Sequence, residues 1–395
     1  MRVAPEIKPR RWQKAALARW EATFSGVTKV VTGGGKTVFA YLCVERFLEE
    51  YPDGRVLIIV PTLALLDQWF VDITAATDLK DDQIALYSGR ARSEHPADIN
   101  IIVLNTARSV AAELSSERPT LLIVDECHRA GSAANARSLL GEHRATLGLS
   151  ATPERDGDDG FDARIAPALG PIIYTYDYPH AKADGVIVDF ELVNVRISLE
   201  PDDLLRLSPV QSRLESITAL IPDAPPETHA AAMDSVGRAA QAASRVPWAV
   251  KLALSHRGER IIVFHERVGS LRRIAQALER QGQRVVTYHS GLSDSHRRDN
   301  LRLFRRGAAN ILVTCRALDE GTNVPEASVA VLAHSTSSTR QRIQRLGRVL
   351  RPAKTKEFAT VYTLYLSDDE ESRLRLEEQD LQGVARILWK KGRVE

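Results

Sequence analysis

Short apolar runs alternate with segments of helical period over the first 165 residues of the chain. The runs at 55–60, 100–104, 121–124 and 146–149 are nearly uninterrupted by polar residues, as expected for parallel strands buried on both faces. Between them apolar residues recur at helical spacing, as over 38–48 and 63–74. The same grammar returns after residue 245, with strands expected at 260–264, 284–288, 310–314 and 328–332 and a helix over 270–279. Alternation of this kind predicts two α/β domains in tandem, each a doubly wound parallel sheet with its site at the carboxyl ends of the strands. Residues 166–245 change character: Pro167, Pro171 and Pro179 are followed by a polar–apolar alternation at 189–196 and an Ala-rich stretch at 230–243. This part reads as a connector with some strand and helix content. The expected domains are therefore 1–165 and 246–367, joined by 166–245, with a charged helix over 368–395 that ends in Lys390, Lys391 and Arg393.

Composition narrows the class without naming a partner. An apolar fraction of 44% and a charged fraction of 26% belong to a water-soluble globular protein. No apolar run approaches membrane-spanning length, and Pro5, Pro9 and four basic residues break up the first eleven positions, so no leader is read there. The expected location is the cytoplasm. Cys43, Cys127 and Cys315 lie far apart and form no CxxC pair, which argues against a disulfide framework or a cysteine zinc site. A net charge of only +2 does not demand a polyanionic partner, although basic residues cluster locally.

The candidate chemistry gathers at strand ends. Thr32-Gly33-Gly34-Gly35-Lys36-Thr37 stands between an extended apolar approach and a helical run. Consecutive glycines let backbone N–H groups close around an anion, and the following helix adds its positive end. Lys36 would reach the β- and γ-phosphates of a nucleotide and Thr37 would ligate Mg²⁺. Val30 stands where the full phosphate-loop pattern asks for glycine, and a simple strand-to-helix turn is the alternative reading. The apolar strand at 121–124 delivers Asp125 and Glu126, a pair suited to holding Mg²⁺ and deprotonating water. Ser150, Ala151, Thr152 and Pro153 close another strand; Thr152 replaces the glycine that a hydrolase nucleophile elbow requires.

Taken in order, these segments resemble the motifs of superfamily 2 helicases and translocases. Residues 32–37 resemble motif I, 60–68 motif Ia, 125–128 a DECH form of motif II, and 150–152 motif III. In the second half 263–265 resemble motif IV, 288–291 the segment after it, 314–325 motif V and 344–351 motif VI. Residues 148–156 with 169–173 are most similar to the XPB-type and phage UvsW-type DNA helicases. The resemblance implies two tandem RecA-like domains that use ATP and Mg²⁺. It implies that Arg10 and Gln13 bind adenine, and that Thr32, Gly33, Gly34, Gly35, Lys36, Thr37, Gly321 and Asn323 bind the rest of the nucleotide. Asp125 would hold Mg²⁺ with Thr37, Glu126 would activate water, and His128, Ser150 and Thr152 would couple hydrolysis to movement. Gln344 would approach the γ-phosphate, with Arg348 and Arg351 as arginine fingers. Asn323 departs from the aspartate common at that position.

Nucleic-acid contacts are expected at Pro61, Thr62, Thr106, Arg108, His289, Ser290 and Thr314, where hydroxyls, amides and arginines would hold phosphates without reading sequence. The arginines at 297, 298, 302, 305 and 306 fall on one helix and read equally as a phosphate track or a solvated face. The favoured reading is an ATP-driven motor on DNA. An RNA helicase is one alternative, because backbone contacts do not distinguish the two acids. A motor subunit that needs a protein partner in a repair or defence complex is another. A P-loop kinase would need one domain and leave the 344–351 arginines idle.

Overall fold

The computed structural model describes residues 1–89, 93, 95–154, 159–197, 243–315, 327–333, 358–379, 381 and 383–392. They form two compact units, Met1–Val186 and the described residues from Ile187 onward.

The first unit is a seven-stranded sheet: β1 (Val27–Val30), β2 (Arg55–Val60), β3 (Ile84–Tyr87), β4 (Ile99–Val103), β5 (Thr120–Asp125), β6 (Ala145–Ser150) and β7 (Ile172–Tyr176). The strand order is β3-β4-β2-β5-β6-β1-β7 and every pairing is parallel. Strands β2, β4, β5 and β6 are buried at every position, which is why their sequences are apolar without alternation. The helices are α1 (Arg11–Glu21), α2 (Lys36–Glu50), α3 (Leu63–Ala76), α4 (Leu104–Leu114), α5 (Ala133–Ala136), α6 (Ala166–Leu169) and α7 (Tyr178–Ala183). Trp12, Trp20, Phe39 and Phe47 on α1 and α2 are fully or almost fully buried. Each such side chain contributes roughly 1.5–3 kcal/mol of burial. The Trp20 indole also finds the carbonyl of Thr146 on β6 at 2.8 Å. The register sets Lys29 beside Ser150 and Asp125 beside Leu149, so the chain leaves β1, β5 and β6 at one edge of the sheet.

The second unit has the order β10-β11-β9-β12-β13-β8-β14, again wholly parallel. Its elements are β8 (Asp189–Arg196), α8 (243–255), β9 (Ile261–Phe264), α9 (Val268–Arg280), β10 (Val285–Tyr288), α10 (Asp294–Arg305), β11 (Ile311–Thr314), β12 (Val329–Leu332), β13 (Phe358–Tyr365), α11 (Asp368–Gln379) and β14 (Arg386–Lys391).

Three boundaries differ from expectation. The first unit does not stop near 165, because β7 pairs with β1 and completes its sheet. Pro167 and Pro179 sit in the first turns of α6 and α7, where proline starts a helix and does not mark a linker. The alternating 189–196 segment is no connector: β8 lies between β13 and β14 in the second sheet. The charged C-terminal helix ends at Gln379, and Arg386–Lys391 forms an edge strand on β8. Gly383, at φ +74°, takes a left-handed turn between the two that few other residues would accept. Trp389 is packed, with the Arg375 guanidinium 4.1 Å from its ring centroid and Tyr365 edge-on at 5.7 Å. Lys390 and Lys391 are exposed on this edge, as lysines commonly are where a strand must not recruit another. Of the expected Ala-rich helix at 230–243, all but the last residue lies outside the described residues.

Candidate active site

The glycine loop leaves β1 at Val30 and enters α2 at Lys36. Gly33 and Gly35 adopt φ values of +86° and +100°, open to glycine and strained for other residues. A Cβ on Gly34 would stand 2.6 Å from Val30 Cγ1 and 2.9 Å from the carbonyl oxygen of Val31. Val30 is fully buried. Valine in place of the expected glycine therefore shifts the need for a bare backbone onto Gly34. The loop is braced from α1: Trp12 Nε1 and Arg10 Nη1 donate to the Gly34 carbonyl at 3.1 and 3.4 Å, and Gln13 Nε2 donates to that of Gly35 at 2.9 Å. Gln13 Oε1 accepts in turn from the Arg10 N–H at 2.7 Å. Thr32 Oγ1 is buried without a hydrogen-bond partner, at a cost of about 1–3 kcal/mol that a phosphate oxygen would relieve. Thr37 follows Lys36 in the first turn of α2.

Strand β5 brings the acids to this loop. Asp125 is buried; its Oδ2 accepts from Trp69 Nε1 at 2.9 Å and its Oδ1 from the Glu126 N–H at 2.9 Å. Burial, and next the negative Glu126, push its carboxyl up to about 6, against the opposing pull of Lys36 and the two donors. Glu126 sits at φ 48° and ψ 49°, a left-handed conformation that a non-glycine residue holds only when its surroundings compel it. From there Oε1 is 3.2 Å from Lys36 Nζ and Oε2 is 3.4 Å from His128 Nδ1. His128 Nδ1 lies 3.0 Å from Ser150 Oγ, which accepts from the Thr152 N–H at 3.1 Å. Lys36, Glu126, His128, Ser150 and Thr152 thus form one continuous polar chain across the ends of three strands.

This arrangement can bind a phosphorylated ligand. Lys36 stands at the end of the loop with its Nζ on Glu126 Oε1, the glycines admit close approach, and Thr32 holds an unsatisfied hydroxyl. Among the described residues no three His, Cys, Asp or Glu side chains could form a self-sufficient metal cage. The donors present, Thr37 and Asp125, suit a hard cation that takes its remaining oxygens from phosphate and water. A cation there would also remove the penalty on the buried Asp125 carboxylate. Sequence reasoning missed Trp69. It belongs to the apolar face of α3 with Leu65, Leu66 and Ile73, and its sole outward signal is that a buried indole N–H needs an acceptor.

The expected nucleic-acid contacts divide. In the first unit Pro61 and Thr62 are part-exposed at the end of β2, with Thr62 Oγ1 capping α3 through the Leu65 N–H at 3.3 Å. Thr106 and Arg108 lie in the first turns of α4, the Arg108 guanidinium folded onto Asn105 Oδ1 at 2.7 Å. In the second unit Ser290 is exposed, but Thr314 is fully buried and donates to the carbonyls of Tyr288 and Cys315 at 3.1 and 3.0 Å. Thr314 therefore ties the ends of β10 and β11 together and faces no track. His289 is also buried, with Nδ1 accepting from the Gly291 N–H at 3.1 Å, so it shapes the turn that presents Ser290. Burial, and then Arg272 and Arg297, lower its pKa and keep the ring neutral. Arg298, Arg302, Arg305 and Arg306 are exposed on or just after α10. Gly321, Asn323, Gln344, Arg348 and Arg351 lie outside the described residues.

Residues 6–155 match the family described as type III restriction enzyme, res subunit, and residues 244–353 match the helicase conserved C-terminal domain. The chain belongs to the superfamily 2 helicases and translocases. Within this superfamily it is 28% identical over 377 residues to the DNA 3'-5' translocase XPB2 of Sulfurisphaera tokodaii, covering 90% of this chain and 81% of that protein. It is 26% identical to the putative DNA 3'-5' helicase Rad25 of Haloarcula marismortui, covering 96% of this chain and 56% of the relative. The ATP-dependent DNA helicase uvsW of Enterobacteria phage T4 is 24% identical, with 91% and 68% covered. The chain thus spans between about half and four fifths of the length of these relatives. Its likeness to the XPB and UvsW group agrees with the motif reading. Among solved structures, the Pyrococcus furiosus Hef helicase domain superposes with a TM-score of 0.62 at 19% identity, over 96% of this chain and 100% of that one. S. cerevisiae Dbp5 bound to RNA and ADP BeF3 gives 0.65 at 14% identity, over 98% and 94%. These likenesses establish the fold, two tandem RecA-like domains.

Proposed function

We propose that this chain is an ATP-dependent DNA helicase or translocase of superfamily 2. The observation that carries the reading is the polar chain from Lys36 through Glu126 and His128 to Ser150, set beside the buried Asp125 at the strand ends of the first unit. ATP with Mg²⁺ would supply the phosphoanhydride and the cation that neutralises it. Lys36 would exchange its ion pair with Glu126 for a phosphate, and the freed Glu126 carboxylate would orient a water and take its proton. His128, bonded to both Glu126 and Ser150, would pass the change in that carboxylate to the end of β6 and to Thr152. Asp125 and Thr37 would hold the metal, and Arg10 and Gln13 would bind adenine while bracing the loop. The resemblance, not the described geometry, assigns Gly321, Asn323, Gln344, Arg348 and Arg351 to the nucleotide. DNA in preference to RNA is supported by relatives named as DNA helicases and translocases. On this reading Pro61, Thr62, Thr106, Arg108 and Ser290 would contact its backbone.

A protein partner is a second reading. One relative, 25% identical, is the helicase/translocase subunit XPB of the general transcription and DNA repair factor IIH of Antonospora locustae. No helix among the described residues is long and apolar enough to cross a membrane. The test is the steady-state ATPase rate with no nucleic acid, single-stranded, duplex and branched DNA, and RNA, with Lys36→Ala as control. Stimulation by DNA supports the reading and names the track. Stimulation by RNA alone overturns the DNA assignment, and a Lys36-dependent rate indifferent to every nucleic acid favours the partner-dependent motor.

A further inference from the structure

Helix α3 joins two places that have been assigned separate tasks. Its N-terminal turn is Pro61–Thr62, and two helical turns further on, roughly 10 Å along the axis, stands Trp69. The Trp69 side chain is buried, and its indole N–H is the one side-chain hydrogen bond to Asp125 among the described residues, at 2.9 Å. The ring is confined on another side by Tyr41 of α2, edge-on at 5.7 Å and 86°. Tyr41 Oη is itself buried without a partner, so the contact is one of packing. An indole wedged in this way cannot follow a sliding or tilting α3 and keep its bond to a carboxylate fixed on β5. Hydrogen bonds are short-ranged and directional, so a displacement of a few tenths of an ångström at Nε1 alters where Asp125 Oδ2 points.

We propose that Trp69 is a positioning residue that holds the metal-binding carboxylate of Asp125 and relays movement of α3 at its nucleic-acid turn to that carboxylate. The route is distinct from the His128–Ser150 chain: it acts on the metal ligand and enters from the track side. It rests on the reading of Asp125 as a metal ligand and of Pro61–Thr62 as a nucleic-acid contact.

Two measurements on the full chain test it. The first is the affinity of a fluorescent ADP with and without Mg²⁺, in wild type, Trp69→Phe and Tyr41→Phe. Partners that orient a metal ligand are commonly worth tenfold or more in metal affinity, so the Mg²⁺ enhancement should fall about tenfold in Trp69→Phe. Tyr41→Phe removes only an unpartnered hydroxyl and should keep the enhancement. The second is the ¹⁹F spectrum of protein labelled with 5-fluorotryptophan, which has five tryptophans to resolve. The Trp69 resonance, identified by its loss in Trp69→Phe, should move on adding single-stranded DNA without nucleotide. Should that variant not fold, Asp125→Ala identifies the same resonance by displacing it.

An unchanged Mg²⁺ enhancement in folded Trp69→Phe overturns the proposal. So does a Trp69 resonance indifferent to a DNA that stimulates wild-type hydrolysis. If wild type shows neither Mg²⁺-strengthened ADP binding nor stimulation by any nucleic acid, the functional reading fails first. A normal wild type with a silent Trp69 fails the inference alone.

Discussion

Replacing Asp125 by Asn should abolish hydrolysis and at the same time stabilise the nucleotide-free protein. The carboxyl is buried, and burial together with Glu126 raises it from an ordinary 3.8 to about 6. Ionised at neutral pH, it therefore carries a penalty in the folded state that it escapes in the unfolded chain. A difference of roughly two pK units amounts to about 3 kcal/mol. Asparagine keeps one oxygen to accept from Trp69 Nε1 but loses, with the charge, the oxygen that accepts from the Glu126 N–H, so part of that penalty should return as stability. The sign fixes the pH dependence. For a raised carboxyl the favourable contribution is fully present below 3.8 and is lost as pH climbs through 6, so the advantage of the variant is largest above pH 7. At pH 5, between the two values, it should shrink to about half. Urea unfolding followed by tryptophan fluorescence at pH 7.5 and pH 5.0 measures both numbers, with the ATPase rate confirming the loss of function. A variant no more stable than wild type at pH 7.5, or an advantage that does not change with pH, would refute the account of Asp125 as a carboxylate held at a cost for its cation.

Glu126→Gln should bind ATP yet turn over at least a hundredfold more slowly, because the amide cannot take a proton; a nucleotide-trapping assay without bound ATP would contradict this. Gly34→Ala should weaken nucleotide binding and cost about 1–3 kcal/mol of stability, since the new methyl meets Val30 Cγ1 at 2.6 Å. Adding Val30→Ala should restore part of the loss, and only part, because the Val31 carbonyl 2.9 Å away does not move; thermal unfolding and fluorescent-nucleotide binding read both. His128→Ala cuts the link between Glu126 and Ser150, and it should lower nucleic-acid-stimulated turnover more than the basal rate. Equal losses in the two rates would make His128 a packing residue only.

Much of this protein was legible along the chain. Strands buried on both faces must be apolar throughout, so β2, β4, β5 and β6 announced themselves, and parallel pairing sends their carboxyl ends to one edge. Phosphate chemistry needs glycines, a lysine, a hydroxyl and acids at strand ends, so Gly33, Lys36, Thr37, Asp125 and Glu126 could be named as candidates from the sequence, and the fold brings Lys36 and Glu126 within 3.2 Å. Three strands escaped this reading. β7 and β14 lie at sheet edges and are only half-buried, which weakens their pattern. β8 is internal and mostly buried, but it looked like a connector because its sheet is chosen by pairing with distant segments.

The tertiary structure alone decided which polar atoms meet. Nothing local in the sequence says that a tryptophan in a core-facing helical stripe donates to Asp125, or that Arg10, Trp12 and Gln13 hold the loop by its carbonyls. It also decided that Thr314 and His289 turn inward, and that Val30 leaves Gly34 no room for a side chain. Local sequence sets propensity and the inventory of chemical groups. Partnership depends on distances between segments far apart in the chain, and these exist only once the strands have paired and the helices have packed over them.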